Sequence, residues 1–127
     1  MFKIEAVIRP DKLDSVRQKL ENIGYPGVMV TEMSGHGRQK GLHSGWPDSL
    51  RVSFLPKVKL EIVVDKKHMA AVVDAIVKGA HTGEMGDGKI FISEVIDAVR
   101  IRTGERGVKA ISMLEDSRKN KKIARIG

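Results

Sequence analysis

The stretch Val58-Lys59-Leu60-Glu61-Ile62-Val63-Val64-Asp65 alternates apolar and charged residues, then gives way to Met69, Val72, Val73, Ile76 and Ala80 at helical spacing. It ends in Thr82-Gly83-Glu84-Met85-Gly86-Asp87-Gly88-Lys89-Ile90-Phe91. A period of two followed by a period near 3.6 predicts a strand and then an amphipathic helix. Val58, Leu60, Ile62 and Val64 take one face of that strand, and Asp65 stands at a helix-capping position. The glycines mark a turn, and Ile90-Phe91-Ile92 reads as the returning strand.

The same layout lies upstream. Phe2, Ile4, Ala6 and Ile8 alternate with Lys3, Glu5 and Arg9 and predict a first strand. Pro10 and Asp11 open a helix carrying Leu13, Val16, Leu20 and Ile23, and Gly24 stops it. Val28, Val30 and Thr31 carry the second strand. Val99 and Ile101 alternate with Arg100 and Arg102 and read as a further strand. The order is β-α-β-β-α-β, an α+β ferredoxin-like arrangement: a four-stranded antiparallel sheet with both helices on one face. The bare face of such a sheet needs cover, so a second copy of the chain is expected against it.

At 127 residues, 41% hydrophobic and 31% charged, the chain fits one globular domain. We place that domain at residues 1–111, with 112–127 as a flexible basic C-terminal extension. No apolar run is long enough to span a bilayer, and the start of the chain is a strand pattern rather than a signal-peptide core. There is no Cys, hence no disulfide or thiolate chemistry, and a cytoplasmic location is the expectation.

The net charge of +7 comes partly from Arg38, Lys40 and Arg51 and partly from Arg118, Lys119, Lys121, Lys122 and Arg125. It favours anionic partners. Aromatic residues make up only 4%, and helix-turn-helix or zinc-finger spacing is missing, so no nucleic acid is expected as a partner. His43, His68 and His81 lack metal-ligand spacing, and no serine lies in a nucleophile-elbow context. The chain is therefore read as a non-enzyme.

Glycines let a backbone approach a ligand closely, and successive N–H groups in such a turn form a concave anion site. Gly83, Gly86 and Gly88 with Lys89, backed by Arg100 and Arg102, fit a phosphate site. On spacing alone a plain glycine-rich hairpin turn fits equally well. A second cluster, Gly35-His36-Gly37-Arg38-Gln39-Lys40-Gly41, favours the phosphate reading. Asp87 is expected to shape the turn rather than act as a base, since Asp bonds local backbone. From Gly35 to about Ser53 neither period is sustained, and a loop of that length is usually functional or disordered.

GHGRQKG, FLPKVKLEIVV, TGEMGDGKIF and VRIRTGERGVKAI, in this order and spacing, resemble the PII nitrogen-regulatory signal proteins from about Lys3 to Ile111. The resemblance implies a homotrimer that binds ATP or ADP in clefts between subunits and, with Mg-ATP, also 2-oxoglutarate. It makes residues 36–53 the T-loop, a mobile segment that docks onto partners. It places Gly86, Asp87, Gly88, Lys89, Arg38, Arg100 and Arg102 around the nucleotide phosphates, with Gly35, Gly37 and Gln39 across the cleft. It makes the Gln39 side-chain oxygen a Mg ligand, a sound choice for a hard cation. Lys57 would pair with a 2-oxoglutarate carboxylate, with backbone N–H groups from Gln39 through Lys40 to Gly41.

The loop departs from the family pattern. Leu42 to Arg51 contains no tyrosine, and Tyr25, the sole Tyr, lies between the first helix and second strand, so uridylylation of a loop tyrosine is chemically impossible. His36 stands where the family often has Phe, and Met29 where it often has a Thr that contacts adenine. Trp46 is expected to anchor a partner. Arg51, the only arginine in the second half of the loop, is expected to enter the exit of a transporter pore.

The function implied is a sensor of ATP/ADP and 2-oxoglutarate that controls an ammonium transporter or a nitrogen-metabolism enzyme, meeting the membrane only through a transporter. The alternative is a divergent regulator answering another small molecule or controlling a non-nitrogen transporter.

Overall fold

The computed structural model describes residues 1–33 and 56–112. The elements are β1 (Phe2–Ile8), a 3-10 turn (Pro10–Lys12), α1 (Leu13–Asn22), β2 (Met29–Met33), β3 (Lys57–Val64), α2 (Lys66–Ala80), β4 (Lys89–Glu94) and a single helical turn, α3 (Val108–Ile111). The strands form one sheet in the order β2-β3-β1-β4. All neighbours are antiparallel, with Ile4 facing Ile62 and Ile92, and Val30 facing Leu60. This is the expected βαββαβ fold.

Register decides which side chains enter the core. Ile4, Ala6 and Ile8 of β1 share a face with Val58, Leu60, Ile62 and Val64 of β3, and all are buried. Alternation on strands puts them on one side. Against them lie Val16 and Leu20 of α1 and Val72, Ala75, Ile76 and Ala80 of α2. The helical stripes predicted from spacing are these residues, with Leu13, Met69 and Val73 at the margin of the core and Ile23 exposed at the helix end. Two local details differ from expectation. Pro10 and Asp11 open a 3-10 turn ahead of α1, and Asp65 sits at the N-cap of α2 without a side-chain bond to it.

The two helices touch at Gly79. A Cβ there would lie 2.8 Å from the Cα of Val16. Only glycine permits that approach without moving α1, and packed interiors transmit such a shift. Gly79→Ala is expected to destabilise the fold by about 1–3 kcal/mol, as overpacking does. Urea denaturation checks this, and an unchanged midpoint would mean the helices can separate freely.

The opposite face of the sheet is mixed. Lys3 pairs with Glu5 at 2.8 Å and Lys59 with Glu61 at 3.0 Å. The Lys3–Glu5 hydrogen bond raises the lysine pKa and lowers the glutamate pKa. Beside these charges Phe91 is 57% exposed and Met29, on the edge strand β2, 60% exposed.

The reading of Val99 to Arg102 as a strand is corrected. Val99 makes only an isolated antiparallel bridge, to Arg106, and Ile101–Thr103 is a turn. The Arg100 N–H donates to Glu105 O at 2.8 Å and the Gly104 N–H to Arg100 O at 2.7 Å, closing a tight hairpin. Asp97 braces it, accepting from Arg106 at 2.8 Å, Ala98 N–H at 2.8 Å and Gly107 N–H at 3.2 Å. Arg100 and Arg102 therefore do not share one face of a strand. The local bonds of the hairpin satisfy the backbone in place of a sheet ladder.

Candidate functional site

Helix α2 ends at Ala80, where the His81 N–H closes the last turn on Val77 O at 2.9 Å. The chain then folds around the carboxylate of Asp87. That carboxylate accepts the backbone N–H of Thr82 and of Gly83, each at 2.9 Å, and the Thr82 hydroxyl. The Glu84 N–H donates to Thr82 Oγ1 at 3.1 Å. Asp87 thus shapes the turn, as its residue type predicts. Its hydrogen bonds, the Thr82 hydroxyl first, hold its pKa well below the usual carboxylate range.

A carboxyl depressed in the folded state stabilises it fully above the unfolded pKa, near 3.9, and the contribution fades as pH falls through the depressed value. The turn is expected to stay closed at pH 5 and 4 and to open only in stronger acid. Amide exchange at Thr82 and Gly83 between pH 5 and 2 reads this directly, and early opening near pH 5 would contradict it.

Two cations fasten the turn to the sheet. Arg9, just past the end of β1, donates from Nε to Asp87 Oδ1 at 3.2 Å and from a terminal nitrogen to Met85 O at 2.6 Å. Lys57, the first residue of β3, donates from Nζ to Gly86 O. Gly88 closes on β1 so tightly that a Cβ would overlap the Val7 carbonyl oxygen, and its φ is +99°. Lys89 begins β4 opposite Val7 and is exposed. A cleft of about 370 Å³ opens beside the turn between α2 and β4, lined by Asp87, Gly88, Lys89 and apolar side chains that include Val77 and Ile90.

Of the expected site residues, the structure brings together Gly86, Asp87, Gly88, Lys89 and Lys57. Arg102 is exposed in the turn of the hairpin. Arg100 donates to the carbonyls of Lys109 and Ala110 at 3.2 and 3.4 Å and faces Glu105 at 3.7 Å, so it stabilises the last described turn. Gly35, Gly37, Arg38, Gln39, Lys40, Gly41, Trp46 and Arg51 lie outside the described residues, as does the extension past 112.

Arg9 and Thr82 were not foreseen as site residues. Thr82 carried a signal, a hydroxyl residue five positions before Asp87 across a glycine turn. Arg9 carried none, because its partners are 76 and 78 residues away. Elsewhere His68 meets Tyr25 edge-on at 5.8 Å. Among the described residues no group of His, Asp or Glu could hold a metal, and no helix is long and apolar enough to cross a membrane.

Residues 1–105 match the family model described as nitrogen regulatory protein P-II. A Nitrogen regulatory protein P-II from Synechocystis sp. is 54% identical over 112 residues, covering 87% of this chain and all of that protein. One from Bradyrhizobium diazoefficiens is 51% identical over 114 residues, again covering 87% of this chain and all of its own length. The crystal structure of Arabidopsis thaliana PII bound to citrate superimposes with a TM-score of 0.71 at 43% identity, over 88% of this chain and 90% of that one. The match spans both helices, all four strands and the clamped glycine turn: this chain belongs to the P-II family of nitrogen regulatory proteins.

Proposed function

We propose that this chain is a nucleotide-dependent regulator that acts as a homotrimer and reports ATP, ADP and 2-oxoglutarate to a partner through residues 36–53. Family membership supports the regulatory role. The observation that carries the nucleotide reading is the turn Thr82–Lys89, held in shape by Asp87 and ending in an exposed lysine. Backbone N–H groups in such a turn suit phosphate oxygens, and Lys89 adds a point charge. Gly35, Gly37, Arg38 and Gln39 would face the phosphates from the loop, with Arg100 and Arg102 serving from a neighbouring subunit.

Mg²⁺ would neutralise charge between the phosphates and 2-oxoglutarate, and the side-chain oxygen of Gln39 would be this chain's ligand to it. Lys57 would turn from Gly86 O to a 2-oxoglutarate carboxylate, with backbone N–H groups from Gln39 to Gly41. The exposed apolar residues on the bare sheet face and the edge strands β2 and β4 support assembly with further copies. Each ligand shifts the loop only by its differential affinity for the loop states.

An ammonium transporter is the first partner proposed, then a nitrogen-assimilation enzyme. Capture of a detergent-extracted ammonium transporter by the immobilised chain should differ between ADP and Mg-ATP with 2-oxoglutarate. Arg51→Ala should weaken that complex about tenfold, the worth of one well-placed charged contact. Capture indifferent to nucleotide and to Arg51 would sink this reading. A regulator tuned to another signal is the second reading. It is favoured by the loop without tyrosine and by the basic stretch beyond residue 105, where the family match ends.

A further inference from the structure

Met85 and Gly86 present their carbonyls to cations from the sheet: Arg9 holds Met85 O at 2.6 Å and Lys57 holds Gly86 O. No peptide bond here is cis, and in a trans peptide the N–H points opposite to the C=O. Fixing those two oxygens toward β1 and β3 therefore turns the N–H groups of Gly86 and Asp87 the other way. The N–H groups of Thr82, Gly83 and Glu84 are used inside the turn, on Asp87 and on Thr82 Oγ1. Among the described residues, that of Gly86 donates to no protein atom, while that of Asp87 closes the tight turn over Met85 and Gly86 onto Glu84 O. The Gly86 N–H is therefore a donor left for a ligand, as are those of Met85 and Gly88, which bond no described residue.

Arg9 does more than Lys57 can. Its guanidinium spans two acceptors, Met85 O and the Asp87 carboxylate, so it fixes the carbonyl relative to the side chain that organises the rest of the turn. It is about a quarter exposed, and a Cβ added at Gly86 would lie 3.2 Å from its terminal nitrogen, so the guanidinium packs on the turn itself. A planar fork with several donors suits this double contact, whereas an ammonium is a single point charge.

We propose that Arg9 is a positioning residue of the phosphate cradle: by bridging Met85 O and Asp87 it aims the Gly86 N–H group at the incoming anion. This rests on the reading of the turn as the nucleotide phosphate site. It gives Arg9 no contact with the phosphates, and it makes Arg9 and Asp87 one unit.

The test is calorimetric titration of ATP into the wild-type chain and into Arg9→Gln, Arg9→Lys, Asp87→Asn and the double variant Arg9→Gln/Asp87→Asn, each with its thermal midpoint. Arg9→Gln is expected to weaken ATP binding about tenfold, the scale of a lost charged hydrogen bond. Arg9→Lys, which can serve one acceptor but not both, should fall between it and wild type at about threefold. The double variant should bind no more weakly than the worse single variant, because residues in one network do not add. A merely structural arginine would lower the midpoint and leave the losses additive. Wild-type affinity in either Arg9 variant, or additive losses in the double variant, overturns the proposal. If Arg9→Gln does not fold, Arg9→Lys decides it alone. If the wild-type chain itself fails to bind ATP, the phosphate reading of the turn falls, and this proposal with it.

Discussion

Gly88→Ala is expected to destabilise the fold by about 3 kcal/mol or more. Two penalties combine. The residue holds φ at +99°, which an L side chain adopts only under strain of about 1–3 kcal/mol. Its Cβ would also overlap the Val7 carbonyl oxygen and lie 2.8 Å from the Val7 carbonyl carbon. The obstacle is backbone in β1, the strand that pairs with both β3 and β4, so it cannot swing aside as a side chain would. The cheapest relief is to peel the turn away from β1, which also unpairs Lys89 from Val7. Urea denaturation of the variant should show a large fall in midpoint, and its turn should lose protection of the Thr82 and Gly83 amides first. A midpoint within 0.5 kcal/mol of wild type would mean that the turn packs elsewhere.

Lys89→Ala, one residue on, is expected to leave stability nearly unchanged and to weaken ATP binding by about tenfold to a hundredfold. Lys89 is exposed, and the strand register needs only its backbone. Surface substitutions of this kind usually cost little in folding. Its charge is expected to face phosphate oxygens, where a charge-assisted hydrogen bond contributes about 1.5–3 kcal/mol. The neighbouring pair is thus expected to separate packing from charge, with Gly88 serving the fold and Lys89 the ligand. Thermal melting beside calorimetry tests both halves. An unchanged ATP affinity in a folded Lys89→Ala variant would remove the lysine from the site.

The layers of the fold were legible because each buried face writes its period into the chain. Ile4-Ala6-Ile8 and Val58-Leu60-Ile62-Val64 alternate in sequence and in burial, and Val16, Leu20, Val72 and Ile76 mark the helical stripes. The last strand failed by the same logic. Val99-Arg100-Ile101-Arg102 alternates as a strand does, yet alternation reports only where side chains would point if the chain were extended. It does not supply a neighbour to pair with. Asp97, Glu105 and Gly107 bond locally and fold the segment into a hairpin.

For the site, the glycines and Asp87 were readable because their chemistry is local. Thr82 and Gly83 supply the bonds to Asp87 within five residues. Arg9 and the contact of Lys57 with Gly86 depend on which strand ends the topology brings beside the turn. No local pattern encodes that meeting. Arg100, by contrast, finds its partners within the hairpin and the turn that follows it.

The most direct test of the central claim is calorimetric titration of ATP into the chain, followed by 2-oxoglutarate into the protein loaded with Mg-ATP. The account predicts that both bind and that 2-oxoglutarate binds only after Mg-ATP. Absence of ATP binding, or 2-oxoglutarate binding at full strength without the nucleotide, would contradict it.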